Sequence, residues 1–191
     1  EKAIGYEVLF SGAIHFVIVC QCDLEVVEDL SKRIRIIKTK QVGLSNSRNM
    51  ALANCNSEWV WFQDDDFCLN VPSVQALCSQ LSTYKSEQFC FVKIGSSEEK
   101  DVSYKNYAFH KKHRKLNALK ISSIEIICRV EWLKDKKISF DSQFGLGTEL
   151  PCCEENLFLW DCFSVKNLTK RNVRYLDLVA CYHTTDLGER N

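Results

Sequence analysis

The sequence predicts an α/β fold, with helices flanking a sheet of buried strands. Two observations carry this reading. Short apolar runs at 14–20, 34–38, 59–62 and 89–94 are rich in β-branched and aromatic residues, and such runs read as strands covered on both faces. Helical segments at 43–53 and 70–84 stand between them. A third observation gives the fold a site. The run Trp59-Val60-Trp61-Phe62-Gln63 ends in three consecutive carboxylates, Asp64-Asp65-Asp66, and ligands of open α/β sheets bind beyond the carboxyl ends of the strands.

Within residues 1–13 the sequence supports only a short helix at 3–9. Ile14-His15-Phe16-Val17-Ile18-Val19-Cys20 is a buried strand, rich in β-branched residues. Asp23 follows, then an amphipathic helical segment at 24–30 and a second strand at 34–38. Gly43 marks a turn and Ser45 reads as the N-cap of a helix in which Met50 and Ala53 share a face. Arg48 falls in its first turn. A helix N-terminus with an arginine suits a phosphate; an ordinary surface cation is the plain alternative.

After the acidic triplet, Asn70 reads as an N-cap, with Pro72 in the first turn of a helix reaching about Tyr84. A strand follows at 89–94. Residues 95–117 form a long exposed loop containing Lys111, Lys112, His113, Arg114 and Lys115. That cluster reads as a solvated charge run, with contact to an anionic substrate or lipid head group as the minority reading. A strand at 121–128, a short helix at 130–134 and a glycine-containing loop at 140–148 come next. The following helix opens with Glu154-Glu155 and carries Leu157, Phe158, Trp160 and Cys162. Acids in a first turn meet the positive end of the helix dipole, which is a structural reason for them. A final strand pair, or one bent strand, covers 174–180, and His183 follows it.

The 191 residues are 46% hydrophobic and 26% charged, which fits one globular domain over 1–191 with truncation at either end left open. Lys+Arg and Asp+Glu are both 25; that balance lacks the basic excess of nucleic-acid binding. No apolar run has the length of about 20 residues that a membrane span needs, and the N-terminus does not read as a signal peptide. The 11 cysteines lack CxxC spacing and sit beside apolar residues. They are expected to be reduced, buried thiols in a reducing cytosol rather than a disulfide framework or a zinc site.

The triplet carries candidate chemistry. Adjacent carboxylates repel and need a compensating cation. Asp64 and Asp66 are two apart, so on extended backbone they face the same way. They offer hard oxygen ligands to a divalent metal. A solvated acidic turn is the alternative.

With these motifs in order, the chain resembles family 2 glycosyltransferases of the GT-A fold, especially bacterial enzymes that build surface polysaccharides, over residues 14–183. Gly43-Leu44-Ser45-Asn46-Ser47-Arg48-Asn49 looks like the family's Gly-Leu-Ser-x-Ala-Arg-Asn helix start. Asp64-Asp65-Asp66 looks like its DxD motif. Glu154-Glu155 looks like its Glu-Asp pair, at the head of the helix carrying the catalytic base. Each motif alone is weak; the ordered set is specific. The resemblance implies a Rossmann-like mixed sheet flanked by helices. It also exposes two departures. The family's opening strand, of the type Val-Ser-Ile-Ile-Ile-Pro-x-Tyr-Asn, has no counterpart before Ile14, so the first strand is missing or altered. Where the next strand usually ends in Asp-Asp-Gly-Ser, this chain has Cys20-Gln21-Cys22-Asp23, leaving Gln21 to pair with a base through its amide.

The implied activity is inverting transfer from a nucleotide-diphosphate sugar to a hydroxyl of a glycan or lipid-linked acceptor. Asp66 would hold Mn²⁺ or Mg²⁺, with Asp64 on the ribose or the metal shell and His183 a further ligand, although a lone histidine is commonly structural. Gln21, Asp23, Arg48 and Asp65 would face the nucleotide. Glu155, beside Glu154, would take the acceptor's proton. Localisation is expected to be cytoplasmic, with peripheral contact at the inner membrane face left open. The alternative is a degenerate GT-A domain serving as a non-catalytic binding or scaffold module. A nucleotidyltransferase would want a glycine-rich, Lys/Arg-bearing loop after the first strand, which the sequence lacks.

Overall fold

The computed structural model describes residues 14–22, 26–31, 33–96, 105 and 119–183. The short helix expected at 3–9, Asp23 and the basic cluster at 111–115 lie outside the described residues.

Strands β1 (Phe16–Gln21), β2 (Val26–Ser31) and β3 (Ile34–Thr39) form one sheet in the order β1-β3-β2. β1 runs parallel to β3 and β2 runs antiparallel to it. The helix expected at 24–30 is therefore corrected: residues 26–31 are a strand. So short a segment pays the cost of helix nucleation for few hydrogen bonds. The adjacent β-branched Val26 and Val27 favour extended backbone, and the free edge of β3 is one tight turn away.

Helix α1 (Leu44–Ala53) follows. Its N-cap is Gly43, at φ 114, and not Ser45. That φ is open to glycine and strained for other residues. Ser45 instead lies inside the first turn and is fully buried, with its hydroxyl donating to the Phe144 carbonyl at 2.7 Å. Ser45, Arg48 and Leu52 form the buried face of α1. The helix thus turns two polar side chains inward, and buried polar groups are the informative ones.

A second sheet holds β4 (Trp59–Trp61), β5 (Phe67–Leu69), β6 (Phe89–Ser96), β7 (Ile126–Arg129) and β8 (Val173–His183), in the order β4-β7-β6-β8-β5. β6 pairs parallel with β8 and antiparallel with β7, so the sheet is mixed. All of β6 except Lys93 is buried, which accounts for the apolar residues on either side of that lysine. Helices α2 (Val71–Leu81), α3 (Val130–Lys136) and α4 (Glu154–Ser164) complete the described fold. α2 begins after Asn70, as the sequence indicates, and stops short of Tyr84. β8 is one strand whose register shifts opposite Phe91–Ile94, and His183 is its last residue.

The strand expected at 121–128 is also corrected. Ser123–Glu125 is a 3₁₀ turn, and β7 begins only at Ile126. The cause is a capping box of the Ser-x-x-Glu type: the Glu125 carboxylate accepts from the Ser122 amide at 2.6 Å and is paired with Lys105.

The main core gathers Leu52, Phe62, Phe89, Phe91, Phe140 and Phe158. Phe140 and Phe158 stack at 4.3 Å between centroids, and Phe62 meets Phe140 edge-on at 5.0 Å. Each such ring contributes about 1.5–3 kcal/mol by burial, and this trio floors the region where the acids converge.

All 11 cysteines are free thiols. Cys55, Cys90, Cys128, Cys162 and Cys181 are buried, but Cys22, Cys68, Cys152 and Cys153 are exposed, which corrects the expectation of buried thiols throughout. Burial pushes the Cys90 and Cys181 thiols up to about 12. Among the described residues no helix is long and apolar enough to cross a membrane.

Candidate active site

The centre of the site is Arg48. α1 carries it inward on the same face as Ser45, with only 7% of its side chain exposed. Nη1 donates to Glu154 Oε1 at 2.9 Å. Nη2 donates to Asp64 Oδ1 at 2.9 Å and to Ser123 Oγ at 2.7 Å. The guanidinium lies over the Phe140 ring, 5.4 Å from its centroid. One side chain therefore ties the acidic loop after β4 to the head of α4. Its Nε is buried without a hydrogen-bond partner, a donor that costs about 1–3 kcal/mol when left unpaired.

The acidic triplet does not continue β4 as extended backbone. The strand stops at Trp61, and residues 65–66 lie in a turn leading to β5. The alternation that put Asp64 and Asp66 on one side does not apply, because acidic residues favour turns over strands. Instead the two acids meet different partners. Asp64 is one-third exposed and bound to Arg48. Asp66 Oδ2 stands 3.2 Å from His183 Nε2. The pairing follows from topology, since β5 and β8 are antiparallel neighbours with Phe67 opposite His183. Asp65 is exposed and joins neither contact.

Glu154 is buried with Arg48 as its counter-charge. Glu155 is half-buried, and its carboxyl is raised above the usual glutamate value. Burial is the main cause; the charge of Glu154 and a hydrogen bond with it add to the rise, while the backbone amide at the helix start and Arg48 pull the other way. The two adjacent glutamates thus divide between a fixed, paired anion and a more basic, accessible one.

The glycine loop closes one side. Gly145 has φ +100, and a Cβ there would stand 3.3 Å from the Glu154 side chain and from Ser45 Oγ. The Leu44 amide donates to the Leu146 carbonyl at 2.9 Å. On the other side the Gln21 amide donates to Ser47 Oγ at 2.8 Å and to the Gly43 carbonyl at 3.2 Å. Its N–H groups are thus spent on the α1 start.

The structure brings together Arg48, Asp64, Glu154 and Glu155 as one cluster, and Asp66 with His183 as a second. Ser123, Phe140 and Ser45 also belong to the first cluster, and no sequence motif marks Ser123 or Phe140. Among the described residues no group of three or more His, Cys, Asp and Glu side chains forms a metal cage. Asp66, beside His183, offers a carboxylate oxygen that fits a divalent ion completed by phosphate oxygens, because Mg²⁺ is commonly bound via one or two carboxylates plus substrate phosphates.

Residues 22–139 match the family model described as "Glycosyl transferase family 2". Comparison with curated protein sequences gives no match. Among solved structures the chain is similar to S. aureus TarS 1-349, at 20% identity and TM-score 0.65, covering 89% of this chain and 51% of that one. It is similar at 20% identity and TM-score 0.66 to the same protein in complex with UDP-GlcNAc, covering 92% and 50%. A complex with UDP matches at 19% identity and TM-score 0.64. The chain spans about half the length of these structures. The likeness shows the GT-A fold.

Proposed function

This chain belongs to glycosyl transferase family 2, and on that premise we propose that it moves a sugar from a nucleotide-diphosphate donor to an acceptor hydroxyl with inversion at the anomeric carbon. The observation that carries the reading is the division of the glutamate pair. Glu154 is locked to Arg48, while Glu155 is half-buried with a raised proton affinity. A carboxylate of raised proton affinity is a better base for deprotonating a hydroxyl than an ordinary one.

In this mechanism Glu155 accepts the acceptor's proton as that oxygen attacks the anomeric carbon from the face opposite the leaving diphosphate. A single base with no covalent intermediate gives inversion. Arg48 pairs with both Glu154 and Asp64, which ties the helix that carries Glu155 to the acidic loop. The aromatic floor of Phe62, Phe140 and Phe158 lowers the local dielectric and strengthens these charge interactions. Asp66 and His183 would hold Mn²⁺ or Mg²⁺, which when bound neutralises the diphosphate leaving group as a Lewis acid. Asp64, Asp65 and Gln21 would face the nucleotide. The donor class is a uridine nucleotide sugar, a reading supported by the complexes of S. aureus TarS with UDP-GlcNAc and UDP. A glycan or lipid-linked hydroxyl is the acceptor class.

The test is Glu155→Gln. Sugar transfer is expected to fall by about 10²–10⁴-fold, the usual contribution of a positioned base, with UDP affinity nearly unchanged. Loss of UDP binding together with transfer would make Glu155 a structural acid. One observation favours the scaffold reading: Gln21, at the position of a base-contacting acid in the family resemblance, spends its amide donors on Gly43 and Ser47. Absence of binding by any nucleotide diphosphate would select that reading.

A further inference from the structure

We propose that Cys152 and Cys153 form a two-thiol trap at the head of α4, which takes up a trivalent arsenical as a cyclic dithioarsenite. Both side chains are exposed, and their Sγ atoms stand 3.5 Å apart. The pair is held in place by its backbone. Cys153 is the N-cap of α4 at φ 70, its carbonyl accepts from the Leu157 amide at 3.0 Å, and the Cys152 amide donates to the Leu150 carbonyl at 2.8 Å. Two sulfurs already adjacent lose little freedom on closing a ring, so the second bond forms at a high effective concentration.

The number of donors decides the ligand class. A structural zinc ion takes four ligands and a catalytic one at least three, and no set of three metal-ligating side chains occurs among the described residues. An arsenical with one organic substituent needs two sulfurs. The step balances without an oxidant. Two S–H protons leave with the arsenical's oxygen as water, two As–S bonds replace the As–O bonding, and arsenic stays trivalent. Single-thiol chemistry is disfavoured at the same place. The hydrogen bond that Cys153 donates to the Cys152 sulfur and the Cys152 charge hold the Cys153 thiol above its ordinary value, with smaller additions from burial and the two glutamates, so it is a poor thiolate nucleophile.

The adduct stands directly before Glu154 and Glu155. It is expected to obstruct the acceptor's approach to Glu155, a consequence that rests on the transfer reading, whereas the adduct itself does not. The experiment is intact-mass and peptide analysis of the whole chain treated with phenylarsine oxide. The expected product is one phenylarsenic group on the peptide containing Cys152 and Cys153, removed by 2,3-dimercaptopropanol and resistant to excess 2-mercaptoethanol. Retention in C152S and in C153S is expected to drop by about 10²-fold or more, the avidity lost with the second linked contact. Iodoacetamide is expected to label Cys153 more slowly than the exposed Cys68. An adduct mapping to other cysteines in the wild-type chain, or one stripped by the monothiol, overturns the proposal. UDP binding by the adduct, measured separately, keeps its failure distinct from failure of the transfer reading.

Discussion

Replacing Arg48 by methionine removes the cation that joins α1, the acidic loop and α4 and keeps an unbranched apolar stem in its place. Glu154, whose side chain is 8% exposed, is then a buried carboxylate without a counter-charge. Breaking a buried pair by deleting one partner costs about 3–5 kcal/mol. Asp64 adds little, because its side chain is 34% exposed and water screens it. Over a stability of about 5–15 kcal/mol, the loss is large. At about 2–4 °C per kcal/mol for a chain of this size, Tm is expected to fall by about 6–20 °C. The assay is thermal and urea unfolding at neutral pH. Adding Glu154→Gln to the variant is expected to restore part of the loss at neutral pH. An Arg48→Met chain within about 1 kcal/mol of wild type, with no recovery on adding Glu154→Gln, would refute the claim that this guanidinium fastens the site.

Three further outcomes follow from the same geometry. Transfer is expected to decline as pH falls through the raised value of Glu155, so the acid limb of the rate profile lies above the ordinary glutamate range, and a limb at or below that range contradicts its role as base. The same rise means that ionising Glu155 costs stability between its unfolded and folded values, so Glu155→Gln is expected to unfold at a slightly higher temperature than wild type at neutral pH. Gly95→Ala places a Cβ 2.6 Å from the Tyr182 ring and 2.9 Å from Val179 in the β6–β8 ladder; overpacking of this kind costs about 1–3 kcal/mol, read as a lower urea midpoint with an unchanged slope.

The sequence made the outline of the fold legible where packing is two-sided. β6 is apolar on either side of Lys93 because the sheet buries both its faces, and Trp59-Val60-Trp61 is recognisable as a strand from its aromatic and β-branched residues. The misread segments are those where local pattern and tertiary context disagree. Val26–Ser31 carries a mixture of acids and apolar residues that fits a helix turn or a strand, and the free edge of β3 decides the matter. Ser122-Ser123-Ile124-Glu125 holds a readable capping box inside an apolar run, and the β-branched neighbours masked it. Within the site, the motif residues stand where the chain turns, but their partners were not readable. Arg48 meets Ser123 and Glu154 across 75 and 106 residues of sequence, and pairing at that range is set by the sheet order, not by local spacing. Asp66 finds His183 only because β5 lies beside β8.

The most direct measurement is calorimetric titration of UDP into the chain with and without Mn²⁺, on wild type and on Asp66→Asn. We expect UDP to bind the wild type in the presence of Mn²⁺ and to bind weakly without it, with the metal-dependent part lost in Asp66→Asn and weakened in His183→Ala. UDP affinity that is indifferent to Mn²⁺, or unchanged by loss of the Asp66 carboxylate, would contradict a metal-assisted donor site at the Asp66–His183 pair.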